Sequence, residues 1–263
     1  MKKYLSLTFI IILTGSCTVH KSQVSATNII RIMSYNVRHC SPPATGLIDI
    51  DGTAAAIKNQ NPDIVALQEI DVNTGRDGKI DEAVELGKKT GMNVYFGKAI
   101  DYGGGEYGVA ILSKYNLINP VVHKLPTLES TKGEHRVLLT AEIRLPGGKS
   151  IMFGTTHLDA QGPPTNRDLQ IKEIIDIAKT IKLPFILAGD LNAQPGTNVI
   201  NKLDQHFTRS CQTCGFTIPA DRPNKTIDYI SFTPGSDFKV ISHEVIVEPK
   251  VSDHAPILAV LKY

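Results

Sequence analysis

The sequence predicts an α/β fold. Apolar runs of strand length recur along the chain, and several end on a polar residue. Between them lie stretches with helical periodicity and helix stop signals. Hydrophobic residues make up 41% of the chain, enough for a real core in one domain spanning residues 29–263.

Ile29 to Met33 alternates as a buried strand, and Asn36 sits just past it. Asp51 to Gln60 is an Ala-rich helix stopped by Asn61-Pro62, because proline brings no amide hydrogen and clashes with the preceding turn. Ile64 to Leu67 reads as a short strand with Gln68-Glu69 at its end. Asp81 to Thr90 reads as a second helix ended by Gly91. Asn93 to Ile100, Gly108 to Leu112 and Val121 to Leu125 are strand candidates. Gly103-Gly104-Gly105 is expected to be a flexible loop near the entrance to the site; it lacks the strand-to-helix context of a phosphate loop. His135 to Leu145 and Ser150 to Thr156 form a hairpin about Pro146-Gly147-Gly148. Thr165-Asn166-Arg167-Asp168 has the form of a capping box, and Ile171, Ile174, Ile175 and Ala178 then share one helical face. Pro184 ends that helix, and Phe185 to Ala188 is the strand under Gly189-Asp190. Ile227 to Phe232, Lys239 to Val247 and Pro256 to Leu261 complete the set.

The first residues read as an export signal. Met1-Lys2-Lys3 is a short positive start, and the apolar stretch Leu5 to Leu13 is too short to span a bilayer as a stable helix. Thr14-Gly15-Ser16-Cys17 then looks like a bacterial lipoprotein signal, although Thr14 stands where leucine is usual. On that reading residues 1–16 are removed, Cys17 is lipidated, and residues 17–28 tether the domain to an envelope membrane. The alternative is a secreted soluble protein cleaved after Val24-Ser25-Ala26.

Loss of residues 1–16 removes Lys2 and Lys3 and no acid. The net charge of +2 becomes zero, with 26 basic residues against 26 acidic ones. A neutral domain lacks the broad positive field behind sequence-independent nucleic-acid binding, which lowers the weight of a nuclease reading without excluding it. The chain has no Trp, so a Trp-rich stacking surface for bases or sugars is absent. Cys211 and Cys214 have no second cysteine pair to complete a zinc site; in an exported chain they read as a local disulfide, with Cys40 left free.

Six polar segments follow, or lie within, apolar runs: Ser34-Tyr35-Asn36, Leu67-Gln68-Glu69, Thr156-His157-Leu158-Asp159, Gly189-Asp190-Leu191-Asn192, Ile227-Asp228-Tyr229 and Ser252-Asp253-His254. Taken singly each is a common turn or strand end. Taken in this order they resemble the endonuclease/exonuclease/phosphatase superfamily, metal-dependent phosphoesterases related to pancreatic-type deoxyribonuclease, from about Ile29 to Tyr263. The resemblance implies a four-layer α/β sandwich, two packed mixed β-sheets flanked by helices.

It also implies a site. Asn36, Glu69 and Asp253 would hold the metal, Mg2+ or Mn2+, since hard cations take oxygen ligands. His254 would be the general base with Asp228 as its orienting carboxylate. Asp190 and Asn192, alternating along an extended segment, would point the same way and orient the attacking water. His157 would contact the phosphate or protonate the leaving group. His157 and Arg38 both set the chain apart from the abasic-site repair branch, which lacks such a histidine and has an acid in place of Arg38. Arg38, Tyr107, Arg136 and Arg167 are phosphate or substrate candidates, Arg167 being equally suited to capping its helix, and Lys98 is a looser one. His123, His135, His206 and His243 belong to no motif and read as surface or packing residues.

The expected protein is an exported, monomeric, metal-dependent phosphoesterase acting on a lipid-derived or small phosphodiester. A nonspecific endonuclease is the alternative, and a phosphoester-binding protein without turnover is the alternative of another class.

Overall fold

The computed structural model describes Met1, residues 28–247 and residues 251–263. The predicted signal, Cys17 and the tether lie outside these residues, apart from Met1 and Asn28. Among the described residues no helix is long and apolar enough to cross a membrane.

Among the described residues, twelve strands form two sheets. The first holds β1 (Ile29–Asn36), β2 (Ile64–Val72), β3 (Asn93–Tyr102), β4 (Gly105–Ser113), β11 (Lys239–Val245) and β12 (Ile257–Lys262), in the order β11-β12-β1-β2-β4-β3. The second holds β5 (Leu117–Lys124), β6 (Val137–Arg144), β7 (Ser150–His157), β8 (Phe185–Asp190), β9 (Thr208–Arg209) and β10 (Asp228–Phe232), in the order β5-β6-β7-β8-β10-β9. Each sheet has one parallel pair at its centre, β1 with β2 and β7 with β8, and antiparallel pairs outside it. A parallel pair needs a crossover, and helices α1 (Ile50–Gln60) and α3 (Thr165–Thr180) supply the two. Helices α2 (Glu82–Thr90) and α4 (Asn198–His206) complete the outer layers.

Three hydrophobic clusters make four layers of this. Ile32, Ile64, Leu139, Phe153 and Ile186 fill the space between the sheets. Met33, Leu67, Ile57 and Leu86 pack the first sheet under α1 and α2; Leu187, Ile171, Ile175 and Leu203 pack the second under α3 and α4. Each large side chain so buried contributes about 1.5–3 kcal/mol. The central strands are buried on both faces, which is why they read as unbroken apolar runs.

Local chemistry places the ends. Asp49 caps α1 by accepting the Gly52 N–H at 2.7 Å, and Asn61 closes it in the left-handed region. Asp81 caps α2, and Gly91 ends it at φ 71°. The capping box expected at α3 does not form. Pro164 occupies the cap position, and Asp168 is drawn to α4, where it accepts from Asn198 Nδ2 at 2.8 Å and Lys202 Nζ at 3.1 Å. Gly103 and Gly104 are not a flexible loop but a two-residue hairpin turn between β3 and β4; both have positive φ, the conformation such a turn demands. The strand expected to stop at Leu67 runs on to Val72 through a bulge at Glu69, whose φ is 58°. The sequence reading assigned no element to α4 or β9. Cys211 and Cys214 are bridged, and Cys40 is free and buried.

Candidate active site

Six polar side chains meet at the end of the sandwich where both parallel pairs finish. Asn36 closes β1, Glu69 sits on the β2 bulge, His157 closes β7, Asp190 closes β8 and Asp228 opens β10. The sheet register sets His157 opposite Asp190 and Asp190 opposite Asp228. Gly189 permits the close approach, since a Cβ there would strike the Thr156 carbonyl. His254 arrives on the loop before β12. The Ser252 hydroxyl pins that loop by donating to the Asn36 carbonyl at 2.6 Å and accepting the His254 N–H at 3.1 Å. Asn36, His157, Asp190, Asp228 and His254 are each at most 5% exposed, so their charges act on one another with little screening.

Asp190 Oδ2 is the focus. It lies 3.1 Å from Asn36 Nδ2, 3.5 Å from His157 Nε2 and 3.7 Å from His254 Nε2. Behind it, His254 Nδ1 meets Asp228 Oδ2 at 3.0 Å, the orienting contact expected of this pair. Burial alone would lower His254, but Asp228, Asp190 and Asp253 outweigh it and hold the imidazole up to about 10. Burial, then the Asp228 charge, pushes Asp190 up to about 7. The two groups stand 3.7 Å apart, so the protonation of one bears on the other.

His157 is the opposite case. Burial lowers it well below 6.5, and Arg136 and His254 lower it further, so it is neutral. Arg136 Nη1 lies 3.0 Å from His157 Nδ1. A guanidinium only donates, so Nδ1 accepts and the ring proton sits on Nε2, on the Asp190 side. Tyr107 lies beside Arg136 and His157, and burial with the nearby Glu69 charge keeps its phenol protonated. Two imidazoles in one site thus carry different charges, set by their partners.

Around Glu69 the donors suit a hard cation. Asn36 Nδ2 donates to Glu69 Oε1 at 2.9 Å as well as to Asp190, so one side-chain amide links two carboxylates. Burial raises Glu69, and Asp253 adds to the rise while Asn36 and His254 oppose it. Oxygen ligands of this kind fit magnesium or manganese. A tighter cluster, Asp190, Asp228 and His254, also meets the spacing for a metal. There the His254 Nδ1 is already engaged by Asp228; on the Glu69 side, Asn36 Oδ1 accepts the Arg38 N–H at 3.1 Å.

Other expected residues are placed differently. Asn192 is not on an extended segment. Its φ is 47°, its N–H donates to Asp190 Oδ1 at 2.8 Å, and its Nδ2 donates to the Leu158 carbonyl at 3.0 Å. It braces the Asp190 turn. Arg167 Nη1 donates to the Asp159 and Gln161 carbonyls at 2.6 and 2.7 Å, holding the loop after β7. Arg38 Nε is 3.6 Å from Asp253 Oδ2 at the partly exposed rim. Lys98 is paired with Asp101 and Glu106 at 2.8 and 3.0 Å.

Three residues escaped the sequence reading. Gln68 joins the sheets at the rim by donating to Thr155 Oγ1 at 3.1 Å, Glu134 Oε1 pairs with Arg136 at 3.2 Å, and Ser252 staples the histidine loop. Gln68 and Ser252 lie inside the strand-end motifs Leu67-Gln68-Glu69 and Ser252-Asp253-His254; nothing in the sequence marks Glu134. Beside the site opens a cleft of about 570 Å3, lined by Arg167, Asn192, Ile218, Pro219, Lys225 and Ile227 among others.

A family model described as Endonuclease/Exonuclease/phosphatase family matches residues 33–254. Among solved structures, an endonuclease/exonuclease/phosphatase from Beutenbergia cavernae superposes with a TM-score of 0.75 at 23% identity, covering 89% of this chain and 71% of that one. One from Bacteroides vulgatus gives 0.72 at 22% identity, over 89% and 98% of the two chains. A mannosyl-6-phosphatase from Bacteroides thetaiotaomicron gives 0.68 at 15% identity, over 89% and 100%. No curated protein sequence matches the chain.

Proposed function

The chain belongs to the endonuclease/exonuclease/phosphatase family, hydrolases of phosphoester bonds, and on that footing we propose that it is an exported enzyme cleaving a small or lipid-derived phosphodiester with Mg2+ or Mn2+. The observation that carries the catalytic reading is the convergence of Asn36, His157 and His254 on Asp190 Oδ2 within 3.7 Å.

Asn36 and Glu69, with Asp253 at the rim, would hold the ion, which would supply positive charge beside the phosphate. His157 donates from Nε2 to a phosphate oxygen, and Arg136 fixes its tautomer from behind. The water proton passes to the Asp190 carboxylate and not to His254, the base expected from the sequence, because His254 already carries a proton in the free site. Asp228 keeps that imidazolium oriented. Asn192 holds the Asp190 carboxylate at its Oδ1, leaving Oδ2 to face the reacting groups.

The substrate ranking rests on the basic side chains near the rim. Arg38 is paired with Asp253, Arg136 with Glu134, Lys98 with two acids, and Arg167 is spent on two carbonyls, which leaves Lys225 in the adjoining cleft as the uncommitted cation among these described residues. A duplex backbone needs several uncommitted cations along its path. A small ester needs only the site itself and the adjoining cleft. Export is supported by the signal-like N-terminus and by the Cys211–Cys214 bridge, which suits an oxidising compartment.

A panel of bis-p-nitrophenyl phosphate, sphingomyelin, phosphoinositides, a sugar phosphate monoester, DNA and RNA tests the reading, with and without divalent metal. The highest kcat/KM should fall on a small or lipid diester. A higher value on duplex DNA than on every small or lipid substrate overturns the ranking and favours the nuclease reading.

A further inference from the structure

Three more carboxyl groups converge on the other side of the β2 bulge, outside the site described above. Asp71 lies near the end of β2, Asp77 in the loop that follows, and Glu82 at the start of α2; all are at most 2% exposed. One oxygen from each lies within 4.8 Å of the other two. Asp71 is compensated: Arg76 grips it through Nε at 2.6 Å and Nη2 at 2.9 Å, and Thr74 Oγ1 donates to it at 2.7 Å. Asp77 Oδ1 accepts the Lys79 N–H and Glu82 Oε2 accepts the Asp71 N–H, each at 2.9 Å. Their other oxygens, Asp77 Oδ2 and Glu82 Oε1, are buried and have no hydrogen-bond partner.

A buried carboxylate oxygen without a partner is costly, and two in one cluster ask for a ligand that supplies positive charge. The neighbouring ammonium does not supply it, because Lys79 Nζ donates to the Asn73 and Gly104 carbonyls. Three carboxylates against one guanidinium leave an excess of two negative charges when all are ionised. We infer that Asp71, Asp77 and Glu82 form a second cation site, taking a hard divalent ion of the calcium class. Oxygen-only ligands drawn from a strand end, a loop and a helix start suit calcium, which tolerates variable geometry; magnesium demands near-octahedral order. Burial, with the Asp71 and Asp77 charges, lifts Glu82 to about 9, so in the ion-free protein a proton on Glu82 takes the place of the cation. The ion would fasten the connection between β2 and α2 two residues from Glu69, and so hold the bulge that carries that residue.

The test separates this site from the catalytic one by working in full-length mature protein carrying Glu69→Gln. Calcium is titrated by calorimetry, and terbium by luminescence sensitised through Tyr102 and Tyr107, which pack against Arg76. One site should remain in Glu69→Gln, and adding either Asp77→Asn or Glu82→Gln should remove it. Calcium at a hundredfold excess over its Kd should raise the melting midpoint of Glu69→Gln by about 5 to 10 °C. That reading needs no further variant to fold. Glu82→Gln, which mimics the neutral acid, should melt like its parent in chelator and ignore calcium. No binding and no midpoint shift in Glu69→Gln, or binding that survives both substitutions, overturns the inference; neither outcome bears on hydrolysis.

Discussion

Replacing Asp228 by Asn tests the electrostatics of the site directly. Asp228 is 3% exposed and stands 3.0 Å from His254 Nδ1, so the change keeps shape and removes one buried charge. In the wild type the imidazole is lifted from 6.5 to about 10, which is roughly 5 kcal/mol between its two protonation states. Asp228 is the largest raising influence, through charge and hydrogen bond together, and Asp190 and Asp253 add to it. Without Asp228, burial should bring His254 down to the neutral range or below. The raised value also fixes the sign of the stability effect. The contribution of His254 is fully present below pH 6.5 and is lost as pH rises through about 10. Asp190 acts in the same direction: its folded value of about 7 lies above the ordinary 3.8, so the stability it contributes is present below 3.8 and lost as pH rises through about 7. Urea unfolding at pH 6 and pH 9.5 should therefore show a several kcal/mol loss in the wild type and a clearly smaller one in Asp228→Asn. Imidazole NMR titration in chelator should show the shift itself, and kcat should fall by roughly 100-fold or more as the ring loses its orientation. A His254 titration near 10 in Asp228→Asn would show that the pair does not set the charge of the site.

Glu69→Gln, or excess chelator on the wild type, should abolish turnover while leaving the circular dichroism spectrum intact; full activity in chelator removes the metal from the mechanism. His157→Ala should cut kcat by about two orders of magnitude or more, the usual effect of deleting a proton donor, and near-normal rates in a folded variant would take His157 out of the chemistry. Labelled fatty acid should enter the wild type and not Cys17→Ser; a purified mature protein beginning at Thr27 without lipid would establish plain secretion instead.

The site was legible where one residue type does one job at a strand end. Asn36, Glu69, His157, Asp190, Asp228 and His254 all follow or flank apolar runs, and β-register then brings them together. What escaped the sequence depended on side chains choosing among partners. Asp168 has the right spacing to Thr165 for a capping box, yet Lys202 and Asn198 on α4 offer it a stronger site. Asn192 follows Asp190 at strand spacing, but an αL turn, favoured by asparagine, reverses the expected direction of its side chain. Arg167 could have faced substrate or loop, and two nearby carbonyls decided it. The bulge at Glu69 was invisible because the run Ile70 to Val72 continues the apolar pattern after two polar residues, with no glycine to mark the break.

The place of β12 has a consequence for when the site can form. This strand is inserted between β1 and β11, in the interior of its sheet and not at an edge. Until it is present, β1 has one open flank, with the core residues Ile30 and Ile32 beside unpaired backbone. The same segment brings Ser252 and His254, so one piece of chain both seals the sheet and delivers the second histidine of the site. A chain that lacks this segment has neither the closed sheet nor the Asp228–His254 contact, so the site is complete only once the sheet is.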